Sequence, residues 1–470
     1  MRFDLAAATA VTALVAAGAA QADDEPPAET SMPPARPAIG FNRWQEDWSM
    51  LADPALRTEP LDNLKYIPLG SDPQTYLSLG LNLRERYEQS DANGFGTRGT
   101  PAANYVISRL ETHADLRLGP QLQLFTQLES AFAPGKERLT PVDEDRLDLE
   151  QAFAAYTVSG ADGTFKLRLG RQEMGFDLQR FVAIRDGPNV RQAFDAAWAD
   201  YETGPWRLIS FYSQPVQDRN LRAFDDYSSG HLTYGGIRLE RRDVGPGQLS
   251  AYYSRYTQDG AHFLTVAGNE RRDIFDVRYA GELESWDWDL EAMGQTGEIG
   301  SQEVRAWAFG NLAGYSWPAA FWSPRLGLQF DGASGDGNPH DHVLGTFNPL
   351  FPNGYYVTLS GYTGYVNFIH LKPSLTLHPL PSVTLLAAVG AQWRQTTADA
   401  VYTQPDIPVA GTAGKDGSYT GTYGQFRVDW RATSHVSAAV EAVHFAVGDA
   451  IRRAGGHDSD YLGVELKYGW

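Results

Sequence analysis

The chain has 470 residues, 42% of them hydrophobic and 12% aromatic, with 47 Gly, 23 Tyr, no Cys and a formal net charge of -19. The lack of cysteine excludes a disulfide scaffold and a thiolate metal site. So acidic a chain also gives no reason to expect a nucleic-acid partner.

Residues 1–22 carry Arg2, an Ala-, Val- and Leu-rich run from Leu5 to Ala20 and the small-residue stretch Ala20-Gln21-Ala22, the pattern of a secretory signal cleaved after Ala22. The apolar run is shorter than the roughly 20 residues that a spanning helix needs. Residues 23–73 are Pro-rich as far as Pro37 and then read FNRWQEDWSMLADP, with Trp44, Trp48 and Leu51 at helical spacing.

From residue 74 the pattern has period two. Leu77, Leu79, Leu81 and Leu83 alternate with Gly80, Asn82, Arg84 and Arg86, and Leu110, Thr112, Ala114, Leu116 and Leu118 alternate with Arg109, Glu111, His113, Asp115 and Arg117. Phe165, Leu167 and Leu169 alternate with Lys166 and Arg168. Phe426, Val428 and Trp430 oppose Arg427, Asp429 and Arg431. At the end of the chain Leu462, Val464, Leu466, Tyr468 and Trp470 oppose Gly463, Glu465, Lys467 and Gly469.

Apolar residues on one face and charges on the other suit strands between lipid and a wet lumen. Short connections, such as Gly119-Pro120 and Thr433-Ser434, interleave with long polar ones near 90–102, 133–147, 172–190, 214–229, 331–353, 396–420 and 447–460. Such an alternation fits a barrel with one rim outside and one in the periplasm, and counting strands gives about eighteen. The expected fold is an all-β transmembrane antiparallel β-barrel over residues 74–470, in the bacterial outer membrane and in contact with its lipid. Residues 23–73 are then a periplasmic lead-in under the rim or, alternatively, a plug. The terminal aromatic, Trp470, resembles the signature that such barrels present to the barrel assembly machinery.

Signals for catalysis are thin. No GxSxG, HExxH or P-loop is present, so neither an enzyme nor a cofactor is expected. FDGASGDGNPHDH gathers Asp331, Asp336 and Asp341 beside glycines, a weak cation candidate without EF-hand spacing, for which a solvated acidic loop is the favoured reading. Arg84, Arg86, Arg109, Arg117, Lys166, Arg168, Lys372, Arg394, Arg427 and Arg431 all fall on the inward parity, where basic rings would favour an anion. A charge on the lipid face would cost ~2–4 kcal/mol at midplane, so inward placement is required of any barrel. Glu111, Asp115, Asp429 and Glu465 share that face as acidic partners. Two readings follow, an electropositive constriction and a lumen of paired charges.

The stretch LRLGRQEMGFDLQRFVAIRDGPNVRQAFDAA, with LNLRERYE, GTFNPLFPNGYY and FAVGDAI, resembles the alginate-export family of outer-membrane barrels. The resemblance spans nearly all of the mature chain. It implies a monomeric pore of about eighteen strands, with an Arg and Lys constriction that conducts a polyuronate. It assigns Arg168 and Arg171 to the family motif, Arg109 to a constriction arginine and Glu465 to an acidic lumen position. Glu150, Ala439 and Glu441 stand where the family carries basic residues, and two long family connections are short here. Fold and transport are thus implied, with passage or export of an anionic solute or acidic polysaccharide, alginate among the candidates, as the leading function, and a general or differently selective porin as the alternative.

Overall fold

The computed structural model of the protein describes residues 36–97, 99 and 102–470. The signal segment and its cleavage after Ala22 lie outside the described residues. The first six long strands are β1 (Thr75–Ser90), β2 (Ala103–Leu118), β3 (Leu122–Phe132), β4 (Asp145–Gly160), β5 (Gly163–Glu173) and β6 (Ala193–Thr203). They are followed by β7 (Trp206–Pro215), β8 (Leu232–Val244), β9 (Gly247–His262), β10 (Ala267–Leu283), β11 (Trp286–Ile299) and β12 (Gln302–Ser316). The last six are β13 (Arg325–Ala333), β14 (Phe368–Leu380), β15 (Val383–Trp393), β16 (Tyr419–Arg431), β17 (Val436–Val447) and β18 (Ser459–Gly469).

Each strand is antiparallel to the next, and β18 returns to β1 with Gly469 opposite Asn82 and Tyr461 opposite Ser90. The ring of eighteen strands therefore has no free edge. Closure pairs the backbone N–H and C=O groups around the ring, so a chain with a mean hydropathy of -0.37 can cross hydrocarbon. Among the described residues no helix is long and apolar enough to cross a membrane.

The side-chain alternation follows the pleat. In β1 Tyr76, Ser78, Arg84 and Arg86 are buried, whereas Leu83 and Tyr87 lie outward. Leu169, Phe275 and Leu466 are likewise exposed on the outer face. Trp206, Trp286, Trp430 and Tyr468 sit outward near the short-turn rim, as an interfacial aromatic belt does. Toward the opposite rim the outer face carries ion pairs, Arg255–Asp273 at 2.7 Å and Arg305–Glu303 at 2.8 Å, and a carboxylate, Asp460, 2.7 Å from His444. These pairs mark where hydrocarbon ends, because outward charge is tolerated only at the interface.

Long connections gather at that second rim, with two exceptions. Residues 263–266 and 300–301 are short there as well, because β9 to β12 run on for 14–17 residues. Two long connections turn inward. Residues 174–192, after β5, and residues 345–367, before β14, meet inside the barrel through a parallel bridge between Val182 and Phe351. Ala183 N donates to Phe351 O at 2.8 Å, and Phe351 N donates to Phe181 O at 2.9 Å. Phe176, Phe181, Phe347, Phe351 and Tyr365 pack there against Trp198, Phe211, Tyr234 and Phe368 from the barrel wall. One side of the lumen is thus a close-packed apolar core, which leaves any polar passage to the other side.

Candidate conduction site

A polar side of the lumen is formed by buried charged side chains of β1, β2, β17 and β18, among them Arg84, Arg109, Glu111, Glu441 and Glu465. The loop 174–192 crosses toward it and is fastened at both ends. At its start Asp177 accepts from Arg238 of β8 at 2.6 and 2.7 Å and from Arg278 of β10 at 2.7 Å. Arg180 donates to Asp289 and Glu291 of β11, both at 2.6 Å, and to the Tyr356 hydroxyl at 2.5 Å. At its far end Asp186 lies among Arg109, Arg191 at 3.0 Å and Lys467 at 3.0 Å. Arg84 donates to the carbonyl oxygens of Asp186 at 2.8 Å, Gly187 at 3.2 Å and Pro188 at 3.1 Å. Burial opposes ionisation of Asp186. The fields of Lys467, Arg109, Arg191 and Arg84 outweigh it and hold the carboxyl well below its usual range.

Each basic residue expected in the lumen has a defined place. Arg84 pairs with Glu465 at 2.7 Å, and Arg86 pairs with Glu441 at 2.6 Å and Glu88 at 2.8 Å. Arg109 lies 3.7 Å from Glu111, which also pairs with Arg191 at 2.9 Å. Arg117 pairs with Asp115 at 3.0 Å, and Arg427 pairs with Asp429 at 2.6 Å and with Glu441. Lys166 stands opposite Asp200 in the β5–β6 register. Arg168 stacks over Trp44 at 4.3 Å and Trp198 at 5.4 Å. Lys372 donates to the carbonyl oxygens of Tyr356 at 3.3 Å and Val357 at 3.1 Å, holding the second infolded loop.

Three placements differ from the expected conduction set. Arg171 faces outward, paired with Asp195 at 2.9 Å beyond Leu169. It shares the parity of Leu169, which carries it to the outer interface, and the Gly170 between them has φ +127°, where a Cβ would stand 2.3 Å from the Ala152 carbonyl. Arg394 lies just past β15, where it gathers the carbonyl oxygens of Asp399 at 3.0 Å, Thr412 at 2.7 Å, Lys415 at 2.6 Å and Gly417 at 2.5 Å. It therefore organises the outer loop rather than lining a path. Arg431, the last residue of β16, is exposed at the short-turn rim.

The acidic candidates for a cation are not brought together. Asp331 is enclosed inside the barrel, where it accepts from His370 at 2.9 Å and Tyr356 at 3.0 Å. Asp336 accepts from Thr265 at 3.3 Å, and exposed Asp341 caps the Val343 N–H at 2.8 Å. Elsewhere at the long-loop rim Asp145, Asp148 and Asp226 place carboxylate oxygens within 4.8 Å of one another.

Of the described residues before β1, Phe41 to Trp48 lie inside the short-turn mouth. Arg117 and Gln123 both donate to the Trp44 carbonyl at 2.7 Å, and the Phe41 ring lies 4.1 Å from the guanidinium of Arg191. Arg43 donates to Leu81 O at 3.1 Å and Trp470 O at 2.9 Å, bridging the closing strands. Trp470 does not continue the outward row of Tyr468. Its backbone still exchanges both hydrogen bonds with Leu81, at 2.7 and 2.9 Å, but the ring turns away and lies 4.5 Å from Lys65 Nζ. Lys65 is enclosed between Trp470 and Trp48.

Burial, followed by the field of Arg43, pushes the Lys65 ammonium down to about 7. In a released segment it titrates near ~10.4. Between these values the released form binds more protons, so seating strengthens as pH rises from about 7 toward 10. The urea midpoint for release, followed by Trp fluorescence, should be higher at alkaline than at mildly acidic pH, by about 1–2 kcal/mol in stability. Lys65→Met should remove the difference.

Sequence reasoning missed Asp177, Arg180, Asp186 and Arg191 as lumen groups, because they lie in a connection with no alternation to read. The available signal was composition: four Arg and two Asp within RQEMGFDLQRFVAIRDGPNVR are more charge than an outer loop needs.

A family model for alginate export matches residues 75–465. Among solved structures, Pseudomonas aeruginosa OccK9 (OpdG) is 12% identical with a TM-score of 0.57, over 84% of this chain and 98% of that one. A BenF-like porin from Pseudomonas fluorescens Pf-5 is 9% identical with a TM-score of 0.56, over 84% and 99%. Pseudomonas aeruginosa OccK2 (OpdF), in complex with glucuronate, is 10% identical with a TM-score of 0.54, over 84% and 97%. At these identities the likeness is one of fold. No curated protein sequence matches the chain.

Proposed function

Because the chain belongs to the alginate export family, we propose that this outer-membrane channel passes an anionic solute of the acidic-saccharide class along the polar side of its lumen. The carrying observation is the convergence of Arg109, Arg191 and Lys467, from β2, the infolded loop and β18, on the Asp186 carboxylate, with Arg84 of β1 on the backbone carbonyl oxygens beside it. Basic groups held at a constriction replace water around a passing carboxylate, and several weak contacts favour passage over trapping. A neighbour of the same fold carries glucuronate, a uronate, which suits that class.

A second reading has its own support. Arg86, Arg117 and Arg427 are each paired with a carboxylate, as in a porin whose lumen charges are balanced. Reversal potentials in a salt gradient across a planar bilayer separate the two. The anionic-solute channel should prefer chloride over potassium, and Arg84→Gln with Arg109→Gln should abolish the preference. Cation preference, unaltered by those substitutions, would favour the balanced porin.

We place the channel in the membrane as a monomer. Recognition of Trp470 by the assembly machinery then belongs to the unfolded chain, before that ring is tucked against Lys65.

A further inference from the structure

The tip of the infolded loop, residues 186–189, presents a particular chemistry to the wall. Its one carboxylate, Asp186, receives Arg109, Arg191 and Lys467. Beside it runs a row of neutral oxygens, the carbonyls of Asp186, Gly187 and Pro188 facing Arg84 and that of Asn189 accepting from Arg109 at 3.1 Å. Pro188 has no N–H, and the Asn189 side-chain amide donates to the carbonyl oxygens of Ser108, Phe132 and Asp143, so the contacts of the tip with the basic groups are all made by acceptors. A carboxylate flanked by neutral acceptors is also what a uronate residue offers, through its carboxylate and its ring and hydroxyl oxygens. Chloride and phosphate have no such row.

The tip is latched as well as seated. The Tyr355 hydroxyl, from the second infolded loop, donates to the Gly187 carbonyl at 3.0 Å. A Cβ at residue 187 would stand 2.7 Å from the Tyr355 ring, so the latch closes only over glycine.

We propose that residues 186–189 are a tethered stand-in for the acidic saccharide, occupying a seat in which Arg109, Arg191 and Lys467 hold the carboxylate and Arg84 the neutral oxygens, until a solute displaces them. The inference rests on the anionic-solute reading and adds to it the seat and its resident competitor. Displacement exchanges one carboxylate for another on the same guanidinium groups, so the seat never has to be left with its charges uncompensated. The loop therefore closes the path to neutral solutes and gives way to acidic ones.

The test uses the full-length barrel in planar bilayers with an oligouronate as the probe and a neutral oligosaccharide of equal length as control. Asp186→Asn keeps the shape of the tip and removes its charge. It should lower the half-blocking concentration of the oligouronate by roughly tenfold, the loss of one charge-assisted contact to the competitor, and leave the neutral control unchanged. A second measurement is independent of that variant's assembly. The chain has no Cys, so Pro188→Cys supplies a single thiol, and its maleimide labelling should accelerate when oligouronate is added. Equal block in both proteins, or labelling unchanged or slowed by an oligouronate that still blocks, overturns the stand-in and leaves the anionic-solute reading intact. No block in either protein, together with cation preference, overturns that reading itself and the stand-in with it.

Discussion

Asp177→Ala should release the infolded loop from the β8–β11 wall and raise the resting conductance several-fold. The Asp177 carboxylate holds two guanidinium groups, Arg238 and Arg278, in a network that continues through Asp289 to Arg180. Arg238 and Arg180 are essentially inaccessible to solvent. Removing one partner of such a buried set costs about 3–5 kcal/mol, because the remaining charges keep their desolvation and lose their compensation. The barrel ring itself is untouched, since its backbone pairing does not involve residues 174–192, so the cost falls on the seating of the loop. Trypsin reads this directly. Arg180, Arg185 and Arg191 should resist cleavage in the folded wild-type barrel and become cleavable in Asp177→Ala. Resistance equal to wild type, with unchanged conductance, would show that the loop is held by its apolar contacts to Phe351 and Tyr365 alone.

The barrel was legible in the sequence because lipid imposes a local rule. Leu77 to Leu83 and Leu462 to Tyr468 must alternate with polar residues whatever the rest of the chain does, and the structure closes them against each other at Asn82 and Gly469. The rule no longer binds where a strand leaves hydrocarbon, which is why Arg171 keeps its outward parity as a charge, against the role the family likeness gave it, and why the Trp470 ring turns to Lys65. It is silent about loops. Lys467 and Asp186 are separated by 281 positions, and Arg84 and the Asp186 carbonyl by 102. Their meeting depends on how a closed barrel brings β18, β1 and a loop after β5 to one place, which no local pattern encodes. The apolar core around Phe351 shares that origin: GTFNPLFPNGYY reads as a connection, and only the facing wall of Trp198, Phe211 and Tyr234 gives its aromatic residues a reason to turn inward.

The second large effect is expected at the seat. Arg84→Gln with Arg109→Gln removes the two guanidinium groups of the barrel wall that hold the loop tip and, on the proposed reading, the arriving solute. Arg84 also compensates Glu465, which keeps Lys467 and Arg86 as partners, and Arg109 also lies near Glu111, which keeps Arg191. Both acidic groups thus retain compensation, and the barrel should still assemble. Charge-assisted contacts are worth about 1.5–3 kcal/mol each, so losing two should weaken oligouronate binding by roughly 100-fold or more. A neutral oligosaccharide should lose nothing.

Block of single-channel current by an oligouronate, compared between wild type and Arg84→Gln with Arg109→Gln, tests passage of an anionic saccharide most directly. Concentration-dependent block in wild type that is absent over the same range in the double variant, with no block of either protein by the neutral oligosaccharide, is the expected result. Equal block of both proteins, or none in wild type, would contradict it.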